Sequence, residues 1–317
     1  MRTILVTGAS GFIGSVLVRR LSAHANVRVL AQSRRLWAGP QFDNVRPIIQ
    51  HFAESTDWTP VLRGVDCVVH LAGRAHMLRD SHENPLSEFR AVNVCASVRL
   101  ARQCAEAGVR RFIFISSIHV NGTRTSRPFT EEDVPAPCEP YAVSKWEAEN
   151  ALRDLSRETG LELVVVRPPL VYGPNAPGNF AALVRWVRRG VPLPLKSVMN
   201  RRSLIGVENL ADFLLTCATH PDAAGQLFLI ADGEDVSTPE LLNKVSAALG
   251  LPCRQFPFPP LVLRNMAMIS GKDGIATRLL DSLQVDASKA RRVLAWRPPL
   301  SIEQQLLLMA EQRSATS

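Results

Sequence analysis

The stretch Thr7-Gly-Ala-Ser-Gly-Phe-Ile-Gly14 constrains the fold of this chain more than any other. It follows Ile4-Leu5-Val6, a short buried-strand pattern, and runs straight into an amphipathic helix from Ser15 to about Leu21. Glycines spaced GxxGxxG between a strand and a helix are a variant of the dinucleotide fingerprint. Gly8 and Gly11 permit a tight turn and close backbone approach to a pyrophosphate, and Gly14 permits close helix–strand packing. Phe12 and Ile13 lie in the same cofactor-binding turn, and the helix from Ser15 points its positive end at the same phosphates. A glycine triplet alone carries little weight; its place between strand and helix makes it specific.

Val27 to Ala31 reads as the second strand and ends in Ala31-Gln32-Ser33-Arg34-Arg35. NAD sites of this kind place a carboxylate there to hold the adenosine ribose. Here two arginines stand instead, and a guanidinium matches the geometry of a 2′-phosphate. NADP(H) is therefore favoured over NAD(H), which remains open, as does a merely solvated turn for Arg34 and Arg35. Further strands at 45–49, 67–71 and 112–116 alternate with helical patterns such as 88–107. That order predicts an α/β fold, a Rossmann-type doubly wound parallel sheet with helices on both faces. Ligands bind beyond the carboxyl ends of such strands, so Leu71, Ala72 and Gly73 border the cofactor. The loop from Arg74 through His76 then borders the substrate. His70 reads as structural rather than catalytic, and His76 is open between the two.

Phe112 to Lys145 carries the candidate chemistry. The run Phe-Ile-Phe-Ile ends in Ser116-Ser117, a buried strand delivering hydroxyls to a sheet edge. Tyr141 and Lys145 are four residues apart with no breaker between them and share a helix face. An ammonium beside a phenol lowers its pKa, and such a phenol can exchange a proton with a sugar hydroxyl or carbonyl. Ser117 would hold the same oxygen. Taken alone, the pair is an ordinary half-buried aromatic and a solvated charge; the serine-tipped strand and the glycine turn give it meaning.

Another strand at 163–167 runs into the rigid turn Pro168 to Pro174, with Pro168 near the cofactor's reactive end. Beyond it, prolines break up short elements. The expected division is a dinucleotide-binding domain over 1–175, returning at about 203–230, and a smaller mixed α/β substrate lobe mainly over 176–317. Residues after Gln312 read as a loose tail.

At 317 residues the chain can bury a large core. A net charge of +8 invites nucleic acid, yet the basic residues fall in scattered pairs without aromatics, which argues against it. Six cysteines form no CxxC pair, and no histidine spacing points to a metal, so buried thiols in a reducing compartment are expected. Neither a signal peptide nor a bilayer-spanning run is evident, which implies a cytoplasmic protein with any membrane contact made through partners.

With these residues in view, the chain resembles the extended short-chain dehydrogenases/reductases, in the branch of nucleotide-sugar epimerases, dehydratases and reductases. The likeness spans about residues 3–313. It rests on TGASGFIG (7–14), HLAG (70–73), SSIHVNG (116–122), YAVSK (141–145), RPPLVYGP (167–174), RRSLIGVENLAD (201–212) and VDASKARRVLAWRPP (285–299). The resemblance implies a triad of Ser117, Tyr141 and Lys145, with Lys145 also on the nicotinamide ribose. It implies UDP-sugar contacts at Asn179, Arg202 and, more loosely aligned, Arg278. Asn179 can also serve as a helix N-cap, and His119 either lines the sugar pocket or packs beside the strand. Dehydratases of the branch carry an Asp-Glu pair after the serine or threonine, whereas Ile118-His119 follow Ser117, which disfavours 4,6-dehydration. Two reactions remain: NADPH-dependent reduction of a UDP-4-keto-6-deoxy-(N-acetyl)hexose and 4-epimerisation of a UDP-sugar with bound NAD. The arginines after the second strand, and strings similar to bacterial 4-keto reductases of polysaccharide assembly, favour the reductase. A non-catalytic NADP-binding sensor is disfavoured because such relatives lose the Tyr or the Lys. The family commonly dimerises through helices corresponding to 88–107 and 141–159, so a homodimer is expected.

Overall fold

A computed structural model describes residues 1–35, 39, 41–75 and 85–314, with side chains to 310. The chain begins β1 (Arg2–Thr7), α1 (Phe12–Ser22), β2 (Val27–Ser33), β3 (Val45–Ile49), α2 (Thr59–Leu62) and β4 (Cys67–His70). One long helix follows in three parts: α3 (Pro85–Arg90), a π-helical stretch (Ala91–Ala96) and α4 (Ser97–Glu106). Then come β5 (Arg111–Ile115), α5 (Pro140–Thr159), β6 (Glu162–Arg167), β7 (Leu170–Tyr172), α6 (Gly178–Arg188), β8 (Arg202–Gly206), α7 (Val207–Thr219) and β9 (Leu227–Leu229). The rest is β10 (Asp235–Val236), α8 (Thr238–Ala248), α9 (Pro260–Ile269), α10 (Asp273–Leu280), α11 (Ser288–Leu294) and α12 (Ile302–Ser314).

The main sheet has seven strands in the order β3-β2-β1-β4-β5-β6-β9, every pairing parallel. Its inner strands are apolar on both faces because helices cover both, whereas the edge strand β3 is largely exposed. Ile4 and Val6 of β1 join Leu17, Leu210 and Phe213 in one core, while Leu5 joins Phe112, Phe114, Leu100 and Leu152 in the other. From β1 the chain builds outward to β3, then returns to lay down β4 on the other side. The order reverses between β1 and β4, where a crevice opens beyond the strand ends.

A second sheet of three strands, β10-β8-β7, carries the smaller lobe. Its core joins Tyr172, Phe180, Leu204, Val236, Leu242 and Leu306. The 203–230 stretch divides between the layers: β8 pairs with β7 and β10, α7 packs back on the main sheet, and β9 adds its edge strand. Helix α5 is bounded by local chemistry. Pro140 fills the first position, where the missing N–H has no partner to lose, and Gly160 ends the helix at φ 75°.

Candidate active site

The glycine turn and the β4 end meet at the crevice. A β-carbon on Gly8 (φ 67°) would lie 2.9 Å from the Ala72 nitrogen, and one on Gly14 would lie 2.2 Å from the Gly8 carbonyl oxygen. Gly11 is the N-cap of α1 without a side-chain cap, so the helix's first N–H groups face the crevice unpaired by any cap. Only glycines fit this cradle, and it suits a pyrophosphate. Thr7 Oγ1 accepts from the Ala72 N–H (3.2 Å) and meets His70 Nδ1 (2.7 Å), whose Nε2 meets Ser97 Oγ (2.9 Å). Burial, with the Lys145 charge adding to it, pushes His70 down to about 3. His70 is thus a neutral strut between β1, β4 and α4.

At the end of β2, Gln32 turns inward: its Oε1 accepts from the Gly8 N–H (2.9 Å) and its amide donates to the Gln50 carbonyl (2.5 Å). Arg34 and Arg35 lie exposed beyond it, with the Arg35 carbonyl accepting from Ser33 Oγ. His76 lies outside the described residues.

Lys145 reaches under the β4 end. A β-carbon on Gly73 would lie 3.6 Å from its Nζ and 3.1 Å from Asn93 Oδ1. Asn93, inside the π-helical stretch, accepts from the Arg74 N–H (2.9 Å) and donates to the Arg74 carbonyl (3.0 Å) and to Ser144 Oγ (3.0 Å). Ser144 in turn donates to the Tyr141 carbonyl (2.8 Å). One amide therefore pins the loop after β4 to the turn of α5 that carries the phenol. The spacing pattern could not reveal this, because an asparagine among apolar helical residues has no distinctive period.

The phenol itself departs from expectation. Tyr141 is half-buried, edge-on to Phe89 at 6.0 Å, and burial pushes its hydroxyl up to about 12 rather than down. The reason is where the ammonium goes. Lys145 Nζ donates to the Ile115 carbonyl (2.8 Å) and lies 4.5 Å from the Phe114 ring centroid. Burial lowers Lys145 to about 8, against a smaller raising effect of Glu149. Below pH 8 the lysine is charged folded and unfolded, and the folded state bears the desolvation penalty. Between pH 8 and 10.5 only the unfolded chain stays protonated, so the penalty fades as pH rises. At 1.36 kcal/mol per unit it amounts to about 3 kcal/mol. Lys145→Met is expected to raise stability by roughly 2 kcal/mol at pH 7, after loss of the Ile115 hydrogen bond. The gain should shrink towards pH 10.5; denaturant melts at pH 6, 8 and 10 check both sign and window.

Ser117 lies at the carboxyl end of β5 in an extended conformation (φ −155°, ψ 147°) and its Oγ accepts from the His119 N–H (3.2 Å), which leaves the hydroxyl proton to donate outward. The Ile118 N–H bonds the Pro168 carbonyl (3.0 Å), so Pro168 sits beside this strand end. His119 Nδ1 stands 3.4 Å from Glu139 Oε2, and Arg278 Nη2 stands 3.4 Å from Glu139 Oε1. The His119 hydrogen bond, then its charge and Arg278, hold the Glu139 carboxyl below its ordinary value despite burial. Glu139 went unread in the sequence, although it is the N-cap residue two before Tyr141.

Arg202 opens β8, donates to the Asp281 carbonyl (2.9 Å), and is lowered to about 10 by burial, with Arg278 close enough to add to the effect. Asn179 is exposed within the first turn of α6. Pro177, not Asn179, is the N-cap of that helix, because the chain is still extended there (φ −80°, ψ 177°). Beneath the site, Ser116 Oγ donates to Glu149 (2.5 Å), and Arg167 forks onto the same carboxylate at 2.8 and 2.6 Å. Among the described residues no cluster of His, Cys, Asp or Glu could hold a metal.

Comparison with known proteins matches this arrangement. The profile of the NAD dependent epimerase/dehydratase family covers residues 4–231. A UDP-glucose 4-epimerase of Vibrio cholerae is 41% identical over 306 residues, 96% of this chain and 93% of that protein. Among solved structures, MoeE5 in complex with UDP-glucuronic acid and NAD superposes with a TM-score of 0.79 at 27% identity, over 99% of this chain and all of that one. UDP-N-acetylglucosamine 4-epimerase from Bacillus cereus gives 0.80 at 21% identity, over 99% and 97%, a likeness of fold.

Proposed function

Because this chain belongs to the NAD dependent epimerase/dehydratase family, we propose that it is a UDP-sugar 4-epimerase working with retained NAD. The observation that carries this reading is 41% identity to a UDP-glucose 4-epimerase over nearly the whole chain. Ser117, Tyr141 and Lys145 supply the chemistry that reaction needs. NAD, when bound, takes a hydride from C4 of the sugar and returns it to the opposite face of the ketone. Tyr141 takes the C4 hydroxyl proton as the hydride leaves and gives it back on reduction. Ser117 donates its free proton to the same oxygen, which holds it at both stages. Lys145 supplies positive charge beneath the crevice and hydroxyl contacts for the nicotinamide ribose. The cradle of Gly8, Gly11, Phe12, Ile13 and Gly14 would hold the pyrophosphate, with Leu71, Ala72, Gly73 and Pro168 along the cofactor. Arg202, Arg278 and Asn179 would hold the UDP diphosphate, and His119, oriented by Glu139, would face the sugar.

Burial of the phenol supports a proton held firmly until the site is filled. Tyr141 near 12 is a poor base at neutral pH, so it acts as base only as the phenolate, and the positive charge of an oxidised nicotinamide, when bound, would favour that form. A second reading keeps one specific support: Arg34 and Arg35 follow β2 where an NAD site has a carboxylate. That feature suits NADPH and the reduction of a UDP-4-keto sugar.

The test uses purified protein without added cofactor. Interconversion of UDP-glucose and UDP-galactose, or of the acetamido pair, with NAD released on denaturation, supports the epimerase. NADPH consumed only with a UDP-4-keto sugar, and an empty or NADP-loaded site, overturns it in favour of the reductase. Arg34→Ala separates the two again: NADPH affinity should fall at least about tenfold if the guanidinium holds a 2′-phosphate, and stay unchanged under the epimerase reading.

A further inference from the structure

The smaller lobe turns apolar side chains outward. No residue of α9 is buried, and Leu261, Met266, Met268 and Ile269 are 75%, 58%, 59% and 89% exposed. At 3.6 residues per turn, the arc running from Met268 through Leu261, Asn265, Ile269 and Val262 to Met266 covers about 160°, and only Asn265 in it is polar. The inward arc holds Leu263, Ala267 and Arg264, the last paired with Asp281. This inverts the usual surface helix, whose apolar stripe faces the core.

The face continues beyond the helix. The 191–199 segment runs beside 254–256, with the Leu193 N–H on the Arg254 carbonyl (2.9 Å) and the Lys196 N–H on the Phe256 carbonyl (3.3 Å). Phe256 is 42% exposed and Met199 94%, and Met199 and Pro260 wall an open hollow of about 700 Å³ with Arg124 and Arg127. The charge around the face is mainly positive, although Asp281 also lines the hollow and Asp273 is exposed beside Lys272. Residues 176–207 contain six Lys or Arg and no Asp or Glu; residues 241–272 contain four and none. Arg124, Lys196, Arg254 and Lys272 are all exposed at its borders.

We propose that this face seats on an anionic phospholipid bilayer, with α9 lying in the headgroup plane. At 1.5 Å per residue a ten-residue helix is about 15 Å long, too short to span but suited to lie flat. Among the described residues no helix is long and apolar enough to cross a membrane. Apolar side chains entering the acyl boundary, ringed by Lys and Arg on lipid phosphates, form the interfacial mode of attachment. A second copy is the weaker occupant. Two-fold pairing would set basic residues such as Arg254 of one copy against the same charges of the other, with Asp273 the one exposed carboxylate between 241 and 275 to offset them. Because α10 packs against α9 and carries Arg278, the membrane-facing surface borders the crevice side of the lobe.

The test is sedimentation of the full chain with phosphatidylcholine vesicles, with or without about a third phosphatidylglycerol. Binding at least about tenfold stronger to the anionic vesicles, and weakened by salt, is expected. The double variant L261E/I269E should lose that binding about tenfold or more, with turnover and melting temperature unchanged because both side chains are exposed. The charge variant R254E/K272E should lose it as well. The proposal is overturned by no preference for anionic vesicles, or by equal binding of both variants. It is equally overturned if the wild type avoids vesicles and instead forms a dimer that L261E/I269E dissociates.

Discussion

Tyr141→Phe is expected to cut turnover by roughly 10²–10⁴-fold, the span for losing a positioned acid–base group, while UDP affinity stays within about twofold. The ring stays edge-on to Phe89 and its burial is unchanged, so the fold has little reason to shift. Only the proton at the C4 oxygen is lost. Ser117→Ala should give a smaller loss of the same kind, since it removes a hydrogen bond to that oxygen and leaves the proton donor in place. The measurement is single-turnover kinetics with UDP-sugar alongside UDP titration. Normal turnover by the phenylalanine variant would remove the triad assignment. A fall in UDP affinity matching the fall in turnover would make Tyr141 a binding residue instead.

The largest stability effect belongs beneath the site. Glu149 and Arg167 are 0% and 1% exposed in their side chains. Glu149→Ala leaves the Arg167 guanidinium with Asn121 Oδ1 (2.8 Å) and the Trp146 ring face. Removing one partner of a buried pair destabilises by about 3–5 kcal/mol, so the melting temperature should fall by roughly 5–8 °C. For contrast, Asp154–Arg157 is 66% and 76% exposed, and Asp154→Ala should change stability by less than about 1 kcal/mol. Replacing both buried partners by methionine should recover much of the loss, because no fully buried charge then remains unpaired; Arg153, which also bonds Glu149, is part-exposed and keeps Asn150. Thermal melts of the three variants beside the wild type check the ranking. If Glu149→Ala melts with the wild type, Arg167 finds solvent or another partner and the pair is not a structural tie.

Much of the fold was legible because it is local. The glycine turn is dictated by backbone sterics at Gly8 and Gly14, and those constraints are written in consecutive residues. Strands covered on both faces read as unbroken apolar runs, so β1, β4, β5 and β6 stood out. Which sheet a strand joins is a matter of pairing between distant segments: β8 has the pattern of a core strand, and nothing in it shows that its neighbours are β7 and β10. Tyr141 and Lys145 were paired by spacing, but the state of the phenol was not legible. Tyr141 and Lys145 do share a face, yet the ammonium is taken up by the Ile115 carbonyl, which arrives from another element. Glu149 and Arg167 were opaque for a similar reason, since two charges in a sequence look solvated until the fold buries them against each other. Asn179 looked like an N-cap from its own neighbours, and Pro177 occupies that place.

The π-helical stretch at Ala91–Ala96 sets the two halves of a long helix out of phase. Upstream, Phe89 is aimed at Tyr141; downstream, Leu100 and Cys104 are aimed into the sheet. A uniform α-helix over the same span would accommodate one fewer residue, and its leading half would arrive rotated by about 100°. Chain length over six residues, rather than the identity of any one of them, therefore decides which side chain a protein of this shape sets against its phenol.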